Sequence, residues 1–172
     1  KPQADEAIKD AASVKNVIVL KRTGIEVPWT NGKDICFHEL INKQSADCKT
    51  EELDAEDRLF ILYTSGTTGK PKGIEHAHGG YCVTPAQTLH WVFDLKENDV
   101  WWCTADVGWI TGHSYVAYGP LCLGATTIMY EGSPDFPDFG RWYKIIQEQK
   151  VTVFYTAPTA VRMLMKQGEE WP

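Results

Sequence analysis

Ten consecutive residues, Thr64 to Gly73 (TSGTTGKPKG), combine three glycines, four hydroxyls and two lysines, a set of groups suited to a polyphosphate. Gly66, Gly69 and Gly73 permit positive φ, so that successive amide N–H groups can turn toward one centre and form an anion-binding concavity. The hydroxyls of Thr64, Ser65, Thr67 and Thr68 add neutral donors, and Lys70 and Lys72 supply charge. Pro71 fixes φ between the two lysines and stiffens the tail that presents them. A Walker A loop would need glycine where Thr64 stands and Ser or Thr where Pro71 stands. A P-loop kinase or GTPase is therefore disfavoured, and the competing reading is a Gly/Thr surface turn with no ligand.

Such a loop works only if rigid elements hold it, and Leu59 to Tyr63 (LFILY) reads as a short buried strand directly before it. Two more blocks stand in the same relation to strands. DVGWITG follows Val100 to Thr104 (VWWCT), and APTA follows Val151 to Tyr155 (VTVFY). Ligands of open α/β sheets bind beyond the carboxyl ends of strands, so the three strand exits are expected to converge on one site. Further strands are expected at Asn16 to Leu20, Ile74 to His78 and Ala125 to Tyr130. Helices are expected at Ala4 to Ala12, Ile35 to Asn42, Tyr81 to Phe93 and Ser114 to Leu123. Phe139, Trp142, Tyr143 and Ile146 fall at i, i+3, i+4 and i+7, which predicts one more helix with a single apolar face. Pro158 and Gly168 bracket a last helix, and Asn31–Gly32 marks a turn. Strands alternating with helices indicate an α/β fold, layered, with a mostly parallel sheet flanked by helices. Residues 1–172 read as a single α/β subdomain.

TSGTTGKPKG resembles the phosphate-binding signature of the adenylate-forming superfamily of acyl-CoA synthetases, luciferases and peptide-synthetase adenylation domains. Trp102 to Tyr118 (WCTADVGWITGHSYVAY), Gly119 to Met129 (GPLCLGATTIM) and Tyr155 to Arg162 (YTAPTAVR) resemble the acetyl-CoA synthetase branch. The likeness runs over nearly the whole chain and is weakest across Thr23 to Glu56. It implies a two-step reaction. A carboxylate attacks the α-phosphorus of ATP to give acyl-AMP and pyrophosphate, and the thiol of coenzyme A then displaces AMP. It also implies that Thr64, Ser65, Gly66, Thr67, Thr68, Gly69, Lys70, Lys72 and Gly73 hold the ATP phosphates. In the same way Trp109, Ile110 and Thr111 are implied to form the acyl pocket, and Thr111, Asp135 and Ala157 to contact CoA. Asp135 replaces an expected asparagine, and a carboxylate can only accept hydrogen bonds and would repel CoA phosphates. The implied cofactors are ATP, Mg2+ and coenzyme A as substrates, with no prosthetic group. The implied catalytic lysine lies downstream, so no catalytic residue is assigned within the chain.

Starting at Lys1 without methionine and stopping at Pro172, the chain reads as an internal fragment of the large N-terminal AMP-binding domain, whose partners are small molecules and the rest of its parent. The expected parent activity is acetate–CoA ligation; the alternatives are a propionyl-CoA or other short-chain acyl-CoA synthetase, and a non-catalytic nucleotide-binding fragment. With 43% hydrophobic residues the chain can build a core. A formal charge of −6 with scattered basic residues offers nucleic acid or an acidic membrane no patch. No apolar run is long enough to span a bilayer, the first residues lack a secretory core, and a soluble cytoplasmic protein is expected. The five cysteines lack CxxC spacing and read as reduced packing residues; His76 and His78 lack partners for a metal site. Trp101, Trp102, Trp142 and Tyr155 read as core, and His113 as a helix-start or supporting residue rather than a base.

Overall fold

The computed structural model describes residues 1–64, 69–168 and 170–171. They divide into two units, Lys1–Glu51 and Glu52–Pro172. In the first, α1 (Pro2–Ala7) places proline in its opening turn, where the missing N–H forfeits no bond. It ends well before the expected Ala12. Strands β1 (Val17–Val19) and β2 (Asp34–Cys36) pair in parallel with Val17 opposite Asp34. A turn with Gly32 at φ +79° precedes β2. Helix α2 (Phe37–Ile41) is shorter than expected because β2 takes residues 34–36. The buried Asp34 carboxylate accepts the Thr30 N–H at 2.7 Å and faces Lys1 Nζ at 2.9 Å. The Thr30 amide first, then Lys1, holds its carboxyl below the ordinary carboxylate range.

The second unit is centred on β5 (Val100–Cys103), which follows β3 (Arg58–Thr64), β4 (Lys72–Ala77) and α3 (His78–Trp91) in the chain. After β5 come α4 (Ile110–Gly112), a π-helix (His113–Tyr118) and α5 (Gly119–Cys122). Then follow β6 (Thr126–Ile128), α6 (Arg141–Gln149), β7 (Val153–Tyr155) and α7 (Pro158–Met165). β5 lies between β6 and β7, and both pairings are parallel. A strand buried on both faces needs apolar side chains at consecutive positions, which VWWC supplies.

Successive side chains point to opposite faces, so Trp101 and Trp102 anchor different layers. Trp101 packs with Leu89, Leu95, Cys103 and Val116, and its Nε1 donates to the Tyr115 carbonyl at 2.7 Å. Trp102 packs with Trp142 and Ile145 of α6. Both indoles are fully buried, each worth roughly 4–6 kcal/mol by area as an upper estimate. The expected α/β fold, a mostly parallel sheet flanked by helices, is thus present.

Two expectations need correction. β3 is not a buried strand of the parallel sheet; it pairs antiparallel with β4 in a separate two-stranded sheet, and Ile61 and Tyr63 are exposed. The segment 114–123 is not one α-helix, because the π-helix interrupts it. No helix among the described residues is long and apolar enough to cross a membrane.

Candidate functional site

The antiparallel strands β3 and β4 flank the glycine-rich segment in the chain. Thr64 closes β3 opposite Lys72, and Tyr63 stands opposite Gly73. Lys72 and Gly73 therefore belong to β4 rather than to a loop. Ser65, Gly66, Thr67 and Thr68 lie outside the described residues. Gly69 has φ +79°, as an amide-lined turn requires. Gly73 serves a different purpose, since a Cβ there would lie 3.1 Å from Ile61 Cγ2 and 3.3 Å from Tyr63 Cζ. Its absence lets the two strands and the Tyr63 ring close up. Thr64, Lys70 and Lys72 are exposed, so their polar groups can meet an anion.

The exit of β5 is a tight turn that its sequence explains residue by residue. Asp106 Oδ1 accepts the Gly108 N–H at 2.6 Å, and the Asp106 carbonyl accepts the Trp109 N–H at 3.1 Å. An Asp side chain bonding the backbone two residues on is the common way to stabilise such a bend. Gly112 returns against the turn so closely that a Cβ would sit 2.1 Å from the Asp106 carbonyl oxygen. The bend leaves Trp109 as the N-cap of α4, 72% exposed, while the expected core tryptophans 101, 102 and 142 are buried.

β7 ends alongside β5. Thr104 N–H donates to the Tyr155 carbonyl at 3.0 Å, and the Thr104 and Thr156 hydroxyls share a hydrogen bond of 2.6 Å. Beyond Thr156, Ala157 caps α7 and Pro158 takes its first position.

These exits line a cavity of about 700 Å³ whose wall includes Thr104, Asp106, Trp109, Thr111, Thr156 and Ala157. A second cavity, about 640 Å³, shares Thr104, Asp106, Thr156 and Ala157 and runs toward Glu131 and Pro134. A third, about 660 Å³, lies between the hairpin and α4 and is lined by Tyr63, Thr64, Ile74, His76, Trp109 and Ile110. Trp109 thus borders both the β5–β7 cavity and the hairpin cavity. Burial raises the Cys103 thiol and likewise the Tyr155 hydroxyl above their ordinary values.

Two cavities thus meet at Trp109, one beside the hairpin strands and one at the exits of the parallel strands β5 and β7. Residues 1–171 match the AMP-binding enzyme family. The chain belongs to that family. Among curated relatives of this AMP-binding chain, the acetyl-coenzyme A synthetase of Methanothrix thermoacetophila is 67% identical and that of Methanothrix soehngenii 66% identical, both over 172 residues. The acetyl-coenzyme A synthetase of Streptomyces avermitilis is 57% identical over 173 residues. Each match covers all of this chain and 26% of the relative, so the chain spans about a quarter of the length of the relatives it matches.

Within the AMP-binding fold the structure brings Trp109, Thr111 and Ala157 to one cavity and Trp109, Ile110 and Thr64 to another. Asp135 lines neither; it is exposed and accepts a hydrogen bond from the Ser133 hydroxyl, one residue beyond Pro134 of the second cavity. Sequence reasoning passed over Asp106 and the Thr104–Thr156 pair. The Asp-x-Gly spacing carries a turn signal for the first. For the second, the two residues meet only through the pairing of β5 with β7, and no local pattern marks them. His113 opens the π-helix with its ring 5.3 Å from that of Phe60, and its Nδ1 is buried with no partner among the described residues.

Proposed function

We propose that the chain is part of an AMP-forming acetate–CoA ligase that converts acetate and ATP to acetyl-AMP and pyrophosphate, then to acetyl-CoA and AMP. The observation that carries this reading is the position of Trp109 on both the hairpin cavity and the β5–β7 cavity, in a chain two-thirds identical to acetyl-coenzyme A synthetases. In the first step an acetate oxygen bonds the α-phosphorus as the bond to the β-phosphate breaks. Residues 64–70, with Lys72 and Gly73 of β4, hold the β and γ phosphates and stabilise the charge developing on pyrophosphate, which is positioning and electrostatics. Trp109 and Ile110 offer the acetyl methyl an apolar wall, and the Thr111 hydroxyl supplies a neutral donor at its edge. In the second step the CoA sulfur bonds the acetyl carbon and AMP leaves with its oxygen. Ala157, small beside Thr156, leaves room for the pantetheine arm, with Asp135 at the outer rim.

Magnesium would accompany ATP and neutralise its phosphates. The described residues gather no cluster of three or more His, Cys, Asp or Glu side chains, so none of them is assigned to it. The catalytic lysine and the adenine site belong to the remainder of the parent, whose other domains are the partners of this segment. A cytoplasmic location is part of the same proposal, in keeping with the absence, among the described residues, of any helix long and apolar enough to cross a membrane.

The test is pyrophosphate exchange and thioester formation by the complete protein with acetate, propionate and butyrate. Acetate gives the highest kcat/KM, and Trp109→Gly shifts the preference toward the longer acids. An unchanged order of acids in that variant removes Trp109 from the acyl pocket.

A further inference from the structure

All five cysteines are free thiols, and two of them meet where α3 packs against α5. The helices touch at Gly119. A Cβ there would lie 2.9 Å from Leu89 Cδ1 and 3.0 Å from Pro85 Cβ, so its absence lets the two backbones approach more closely than larger side chains permit. Cys82 stands three residues before Pro85, and Cys122 three residues after Gly119. Residues three apart share a helix face, so both cysteines belong to the faces in contact.

The two thiols interact directly. Burial first, then the charge and the hydrogen bond of the neighbouring Cys82, raises the Cys122 thiol above its ordinary value. Core packing accounts for Cys103, which is buried against Trp101 and Leu89. It does not account for Cys122, which is exposed, or fully for Cys82, which is half-buried.

We propose that Cys82 and Cys122 are a redox-modification site, a dithiol that a peroxide closes to a disulfide tying α3 to α5. Cys122 is the thiol the oxidant reaches. Its thiolate attacks one oxygen of the peroxide, the O–O bond breaks, and hydroxide leaves with Cys122 as a sulfenic acid. The Cys82 thiolate then attacks the Cys122 sulfur, the S–O bond breaks, and a second hydroxide leaves as the S–S bond forms. The two thiol protons convert both hydroxides to water, so two thiols are oxidised and one peroxide is reduced. A dithiol reductant reverses the change by thiol–disulfide exchange. The segment enclosed by the bond carries β5, the turn at Trp109 and the π-helix. Tying its ends removes freedom from the unfolded chain, while neighbouring sulfurs need little movement in the folded one, so the oxidised form resists unfolding better than the reduced form.

The experiment uses the complete parent protein, reduced, treated with hydrogen peroxide, blocked with N-ethylmaleimide and digested without reductant for mass spectrometry. Wild type yields the Cys82 and Cys122 peptides joined, lighter by two hydrogens than the separate pair, and dithiothreitol releases them. Cys122→Ser gives no joined peptide and leaves Cys82 open to the maleimide. The urea midpoint of wild type rises on oxidation and returns on reduction, and the rise is absent in Cys82→Ser and Cys122→Ser. Cys122 carried on to sulfinic acid with Cys82 still alkylated overturns the proposal, because the second sulfur then lies out of reach. Both thiols alkylated after peroxide, or Cys122 joined to a second copy of the protein, overturns it equally. A joined pair that lowers the urea midpoint overturns the claim that the sulfurs meet without strain.

Discussion

Gly112→Ala tests whether the turn after β5 builds the site. The added Cβ would lie 2.1 Å from the Asp106 carbonyl oxygen and 2.7 Å from Val107 Cα, both main-chain atoms that cannot rotate aside. Restoring ordinary contact requires the turn and α4 to part by about 1 Å, an overpacking strain of about 1–3 kcal/mol. Trp109, Ile110 and Thr111 lie between the two clashing segments, so they move with it. A misplacement of about 1 Å in a catalytic site costs on the order of 100-fold in rate. The assay is acetyl-CoA formation by the complete protein, paired with urea unfolding, and the control is Gly80→Ala, where the new methyl meets open space. Gly112→Ala lowers kcat/KM by about 100-fold and lowers stability by about 1–3 kcal/mol, while the control keeps wild-type rate. Wild-type rate and stability in Gly112→Ala would refute the claim that this close approach sets the positions of residues 109–111.

Replacing Lys70 and Lys72 together by alanine slows acetate-dependent pyrophosphate exchange by about 100-fold or more, while thioester formation from supplied acetyl-AMP changes little; equal losses in both steps contradict the phosphate role. Asp99 accepts the Lys96 N–H and the Thr152 hydroxyl, each at 2.7 Å, and these bonds hold its carboxyl below the ordinary value of 3.8. A carboxyl depressed in the folded state stabilises it above the unfolded value, and the contribution is lost as pH falls through the folded one. Asp99→Asn therefore unfolds at lower urea than wild type at pH 7, and the gap closes in acid; a gap that widens as pH falls contradicts the assignment.

The parts of the fold visible in the sequence are those that local patterns determine. VWWC announces a strand buried on both faces, and Pro158 with Gly168 brackets α7. LFILY has the same apolar composition as VWWC, yet it forms one side of an exposed hairpin, because a short apolar run does not state what covers it. The helix-period pattern finds α6 and two of its core-facing residues, Trp142 and Ile146, but misses Ile145 and includes Tyr143 and Phe139, which lie off that face. Trp142 and Ile145 are buried, Tyr143 is 36% exposed, and Phe139 lies before the helix with its ring 6.0 Å from that of Trp171. Near the cavities, the position of the DVGWITG block just after strand β5 is legible from the sequence. The Thr104–Thr156 hydrogen bond and the approach of Gly112 to Asp106 are tertiary facts, joining residues that only the folded sheet and turn bring together.

The central claim is that the hairpin tip and the exits of β5 and β7 build one site around Trp109. A crystal structure of the complete protein with a stable acetyl-adenylate analogue and CoA tests it most directly. The account predicts the acetyl methyl in van der Waals contact with the Trp109 indole, at about 4 Å, with the CoA thiol approaching from the side of Ala157. An analogue bound away from Trp109, or a glycine-rich tip sealed by the rest of the protein from any nucleotide, would contradict it.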